Sequence, residues 1–229
     1  MNPLPTLERV WYGYLAAVLV VAAVATDGCV PPAARWQHLL VHAGVFAAVV
    51  FVHLGLSRRS AKAQRWGRTV LAVAGLPIVF SAMSWLLPAV HPEPYEFRWA
   101  AIDRAWFGGD LGAVIDPWLA PWLVELLQLV YASFYLVPIV AGVATLRSGT
   151  AAFDRALLAL VFGFLASYLG YLLVPTLGPK VVLAFATPLE GLWATVPVRA
   201  WIDGAEANPW DCFPSGHTML TVTSLLVLW

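Results

Sequence analysis

Long apolar runs separated by short polar connections leave this chain little choice of fold. A helix of about 20 apolar residues crosses the hydrocarbon of a bilayer, and lipid excludes any backbone whose N–H and C=O groups go unpaired. Such runs occupy 10–26, 36–56, 69–90, 118–146 and 156–175, and a shorter one covers 215–229. Asp27, Gly28, Pro31 and Pro32 end the first, and Pro77 falls within the third, where neighbouring helices can accommodate it. The expectation is an all-α, polytopic membrane helix bundle of six spans, the sixth incomplete, forming one integral membrane domain over 1–229. Composition agrees, with 61% hydrophobic and 11% charged residues. A net charge of zero argues against nucleic acid as a partner. Ahead of the first run stand only Glu8 and Arg9, and no small-residue cleavage site follows, so the first span is expected to be retained. There is no internal repeat and no low-complexity tract.

Charge placement sets the expected sides. Arg58, Arg59, Lys62, Arg65 and Arg68 are five of the 13 basic residues, with no acid among them, which predicts a cytoplasmic loop after the second span. Arg147 and Arg155 bracket a second such connection. The N-terminus then lies inside, and the loop over 176–213 faces the extracytoplasmic side, with the plasma membrane as the expected location. Between the third and fourth spans, residues 91–117 mix acids and arginines with Tyr95, Phe97, Trp99, Trp106 and Phe107, the pattern of a segment lying in the interface.

The most chemically informative stretch is Asp211-Cys212-Phe213-Pro214-Ser215-Gly216-His217-Thr218, which opens into the last apolar run. Pro214 suits the first turn of a helix, which would leave the amides of Ser215, Gly216 and His217 pointing out of the helix mouth. Unpaired N–H groups and the helix dipole attract an oxyanion there. Gly216 permits close approach, Ser215 adds a hydroxyl, and His217 can give or take a proton near neutral pH.

Pro214-Ser215-Gly216-His217 resembles the second signature motif, PSGH, of the type 2 phosphatidic acid phosphatase superfamily of multi-span membrane phosphatases and phosphotransferases. The first motif, KxxxxxxRP, is matched from Lys180 to Pro188 except that Thr187 stands where arginine is expected. Either Arg199 supplies that charge or the chain belongs to a branch with a degenerate first motif. Leu177-Gly178-Pro179-Lys180 after a span, with a tyrosine-bearing fourth helix, is similar to the inositol-phosphorylceramide-synthase-like branch. Lys180 serves either as a phosphate ligand or as an interfacial anchor. The third motif, SRxxxxxHxxxD, has no match, and its histidine is the nucleophile that forms a phosphohistidine. The chain reaches residue 229 only 12 residues past His217, so the sixth span reads as truncated and the chain alone as inactive.

The resemblance implies phosphoester hydrolysis, or transfer to an alcohol acceptor such as inositol, with a lipid phosphate as substrate and with neither cofactor nor metal. His217 would be catalytic, protonating the leaving oxygen, while Lys180, Ser215 and Gly216 would bind phosphate. Two rivals from other classes are a transporter, with polar residues converging at mid-membrane, and a non-catalytic scaffold.

Further polar residues fall on helices. Glu125, Gln128, Tyr131 and Tyr135 form a line on the fourth span that could meet Ser167, Tyr168 or Tyr171 of the fifth, touch a head group, or simply tie helices together. Glu125, Tyr131, Tyr135 and Arg199 are accordingly secondary site candidates. His38, His42 and His53 share a face of the second span, yet residues 42 and 53 stand about 16 Å apart by helical rise, too far to share an ion. Cys29 and Cys212 both fall on the expected outer side, and two residues alone do not establish a disulfide.

Overall fold

A computed structural model describes residues 3–24, 32–178, 181–183, 189–205 and 208–229. Among the described residues the chain is helical, and its one isolated β-bridge joins Thr176 to Asp211 in parallel. Helix α1 spans Pro3–Val24, α2 Pro32–Leu56 and α3 Ala61–Val90. Helices α4 (Glu96–Phe107) and α5 (Leu111–Ile115) follow, then α6 (Pro121–Ser133), α7 (Val137–Ser148) and α8 (Thr150–Leu173). A helix absent from the sequence reading, α9 (Thr195–Ala205), precedes α10 (Gly216–Leu228). Five stretches among the described residues are long and apolar enough to cross a membrane: Thr6–Val24, Leu39–Leu56, Ala61–Val90, Pro121–Ser148 and Thr150–Leu173. The protein is an all-α polytopic helix bundle, an integral membrane protein.

Helix α8 is the central post, packed against α1, α3, α7 and α10, while α2 closes the bundle against α1 and α3. Lipid tails are as apolar as leucine, so helices gain little from hiding apolar surface and associate through close packing and polar pairing instead. Both devices are visible. Along α8, Gly163 and Gly170 lie two turns apart and admit Met219 and Pro214 respectively; a Cβ at 170 would stand 2.5 Å from Pro214 Cγ. At the other end of the bundle, Arg68 Nε donates to Glu8 Oε1 at 2.6 Å and Arg65 Nε donates to Asp154 Oδ1 at 2.6 Å.

Those ion pairs correct the reading of a basic loop. Helix α3 begins at Ala61, capped by the Ser60 hydroxyl, so Lys62, Arg65 and Arg68 belong to a helix. Arg65 and Arg68 turn inward to carboxylates on α8 and α1, and Glu8 faces Arg68 across the bundle with no ion pair to its sequence neighbour Arg9. His53 adds a partner 3.7 Å from Glu8.

The fourth span is α6 and α7 joined by a 3-10 turn, Phe134–Leu136. Pro138 explains it: without an N–H it cannot bond the Phe134 carbonyl, which instead receives the Val137 N–H. Apart from Val124, Glu125, Ala141 and Thr145, this span buries little and turns Leu126, Val130, Ile139 and Val140 outward.

Breaking the Glu8–Arg68 pair isolates a buried guanidinium. Glu8→Ala is expected to destabilise the bundle by about 3–5 kcal/mol. Asp154→Ala should cost less, since its pair is more open, with side-chain exposures of 12% and 8% against 4% and 1%. Thermal unfolding of both variants in one detergent checks the order.

Candidate active site at the mouth of α10

The turn before α10 is placed by two neighbours. Cys212 N–H donates to the Thr176 carbonyl at 3.3 Å, beside the Thr176–Asp211 bridge, tying the turn to the segment that leaves α8. Pro214, joined to Phe213 by a cis peptide bond, rests on Gly170. Helix α10 starts at Gly216, with Ser215 as its N-cap, so Pro214 lies ahead of the cap and not in the first helical turn as its type suggested. An extended residue has to precede the helix to let the cap hydroxyl turn back, and Ser215 takes that conformation.

Ser215 Oγ accepts the Thr218 N–H at 3.2 Å. Its hydroxyl proton stays available for donation, because capping uses only a lone pair. The Gly216 and His217 amides belong to the first turn, where no helical carbonyl lies four residues back to receive them. Tyr171, 2% exposed, brings its hydroxyl so near that a Cβ on residue 216 would meet it at 2.7 Å. A side chain at 216 would have to displace that phenol.

His217 stands half-buried between two rings. Its imidazole stacks on Tyr131 with centroids 4.6 Å apart and an interplanar angle of 29°, and it lies 3.9 Å from the Phe134 centroid. Phe134 occupies the 3-10 turn set by Pro138, so the break in the fourth span helps orient the imidazole. Ser215, Gly216, His217 and Tyr131 thus come together at one helix mouth. This arrangement can hold an oxyanion against backbone amides and a hydroxyl, with an imidazole next to it.

Other candidates go elsewhere. Tyr135 packs against Phe134 at 5.1 Å and Trp201 of α9 at 4.8 Å, one ring removed from His217. Glu125 meets neither Ser167, Tyr168 nor Tyr171. It caps α9, accepting from the N–H groups of Leu192, Trp193, Ala194 and Thr195 and from the Thr195 hydroxyl, at 2.6–3.3 Å. A carboxylate at a helix N-terminus satisfies the exposed amides and complements the dipole. Arg199 is exposed on α9 and donates to the Leu189 carbonyl at 2.9 Å, a local contact within its own loop. Lys180, Thr187, Pro188 and Cys29 lie outside the described residues, as does the His38 side chain. His42 is fully buried against Tyr14, and His53 lies near Glu8 at the opposite end, so the histidine face of α2 is divided.

The sequence reading passed over three contributors. Tyr171 entered it only as a neighbour for Glu125. Gly170 carried no local signal at all. Glu96, read as one charge of an amphipathic segment, is 4% exposed and accepts the Gly178 N–H at 2.5 Å. Gly178 has a φ of 91°, and a Cβ there would meet Cys212 Sγ at 3.3 Å, so Glu96 pins a glycine that touches the α10 turn two residues before Lys180. Comparison with known proteins finds no matching family model, no matching curated protein and no matching solved structure.

Gly170→Ala should push Pro214 off α8 and cost about 1–3 kcal/mol. Gly142→Ala, on a helix with nothing within 4 Å of the new methyl, should lie within about 1 kcal/mol of the parent on the stabilising side. Equal melting temperatures for the two variants would contradict the close α8–α10 approach.

Proposed function

We propose that this protein is a membrane-embedded enzyme of phosphoester chemistry, similar to the type 2 phosphatidic acid phosphatase superfamily, with its anion site at the mouth of α10. The observation that carries the reading is the company kept by His217: the histidine, the Ser215 hydroxyl and the first amides of α10 meet at one helix N-terminus. Phosphate oxygens bind to the Ser215, Gly216 and His217 amides and the Ser215 hydroxyl, and Lys180 adds a positive charge. His217, held by Tyr131 and Phe134, protonates the departing alcohol oxygen as its bond to phosphorus breaks. Nothing in the 229 residues matches the superfamily's attacking histidine, so this sequence supplies the binding and proton-donating half of the site. The attacking histidine of this reading is not part of the α10 mouth, and the phosphohistidine it forms is resolved by water or by an alcohol such as inositol.

The substrate in this reading is a lipid phosphate. By the distribution of basic residues, the end bearing Arg58, Arg59 and Lys62 is cytoplasmic and the α10 mouth is extracytoplasmic. A transport path gains no support from Glu125, whose oxygens are taken up by α9. For a scaffold, no specific observation speaks.

Short-chain phosphatidic acid titrated into the detergent-solubilised chain, followed by its phosphorus resonance, tests the binding half. Affinity should fall about tenfold in Ser215→Ala, which removes a hydroxyl donor to the charged phosphate, and less in His217→Ala, whose backbone amide remains and whose imidazole acts on the leaving oxygen. Unchanged affinity in both variants would sink the proposal. In a turnover assay, phosphate release from the same lipid means hydrolysis. A new phosphodiester formed when inositol is supplied means transfer.

A further inference from the structure

We propose that the end of the bundle opposite the α10 mouth carries a binding surface for anionic phospholipid headgroups, built from the α2–α3 and α7–α8 turns. The chain is neutral overall, but its tertiary pairing leaves this end cationic. Among the described residues, two carboxylates reach it, Glu8 and Asp154, and each is committed to a buried or nearly buried arginine, Arg68 and Arg65. Arg9, Arg58, Arg59, Lys62, Arg147 and Arg155 remain, all exposed and in no ion pair among the described residues.

Tertiary contacts gather these cations from distant parts of the sequence. Arg65 and Asp154 join the start of α3 to the start of α8, and Trp66 faces Phe153 with ring centroids 6.2 Å apart. That contact sets Arg58 and Arg59 of the α2–α3 turn and Lys62 at the start of α3 beside Arg147 at the end of α7 and Arg155 at the start of α8, although some 90 positions separate them in sequence. Arg9 follows Glu8 on α1, beside Arg68. Trp66, 45% exposed, stands among them as an interfacial ring. The patch sits where membrane-spanning helices end, at headgroup depth, and the acids Glu93, Asp103, Asp110 and Asp116 lie at the other end, about 36 Å away along α8. Charge complementarity at that depth selects an anionic headgroup, and a phosphodiester can bridge two guanidinium groups. The surface is independent of the phosphoester reading, since no residue is shared with the α10 mouth.

Native mass spectrometry of the full chain tests it, with equimolar phosphatidylglycerol and phosphatidylcholine of the same acyl chains. Phosphatidylglycerol adducts should dominate. The excess should shrink at least about fivefold in Arg58→Gln/Arg59→Gln/Lys62→Gln, the factor that a single basic residue near an anionic surface contributes. Arg98→Gln/Arg104→Gln, on α4 at the far end, should keep the excess. Raising the ionic strength to about 0.5 M should weaken the preference of the unsubstituted protein by screening, a readout that needs no variant. Equal occupancy by the two lipids, or a preference untouched by both the triple substitution and salt, would overturn the proposal.

Discussion

The approach of α10 to α8 is the contact on which the rest of the candidate site depends. Two glycines on α8, 163 and 170, take Met219 and Pro214 into their surface, and the turn between Asp211 and Ser215 is seated as a result. From that seat Ser215 caps α10, Gly216 passes beside the Tyr171 hydroxyl, and His217 reaches the Tyr131–Phe134 slot of the neighbouring span. In lipid such a seam has particular weight, because shape fit between small and large residues supplies attraction that apolar burial does not.

Carboxylates organise what the seam does not. Glu8, Asp154, Glu125 and Glu96 are each buried, and each holds two pieces of chain that the sequence keeps apart. Unpaired, a buried charge in this environment is costly, so each needs its partner and thereby fixes a distance between elements. Glu8 and Asp154 register α1 and α8 against α3. Glu125 seats α9 on α6, and Glu96 ties α4 to the segment leading from α8 to the α10 turn. The same pairings set the charge at one end of the bundle, by removing from its surface the only acids that the described residues bring there.

Much of the architecture is legible in the sequence, and the reasons are local. Bilayer thickness fixes span length, so runs such as 36–56 and 118–146 announce α2 and the α6–α7 span to within a few residues. The helix mouth near Ser215 is legible because a proline and small polar residues ahead of an apolar run mark a helix start, although the cap falls at Ser215, one residue after Pro214. Helix α9 is not legible: its amides are satisfied by a carboxylate some 70 residues earlier, and no local pattern announces such a partner. The roles of Arg65 and Arg68 are hidden for the same reason. A run of arginines beside a span looks like a solvated loop until distant carboxylates arrive.

By itself the sequence determined that this is a membrane-spanning helical bundle and that a polar, glycine-containing turn opens its last helix, because hydrophobic length and helix-start chemistry act over neighbouring residues. Tertiary structure alone decided which polar groups meet. It sent Glu125 to a helix cap, His217 to an aromatic slot, and Tyr171 and Glu96 to the turn, since a buried carboxylate is costly in a bilayer unless it finds a partner, wherever the chain happens to carry one.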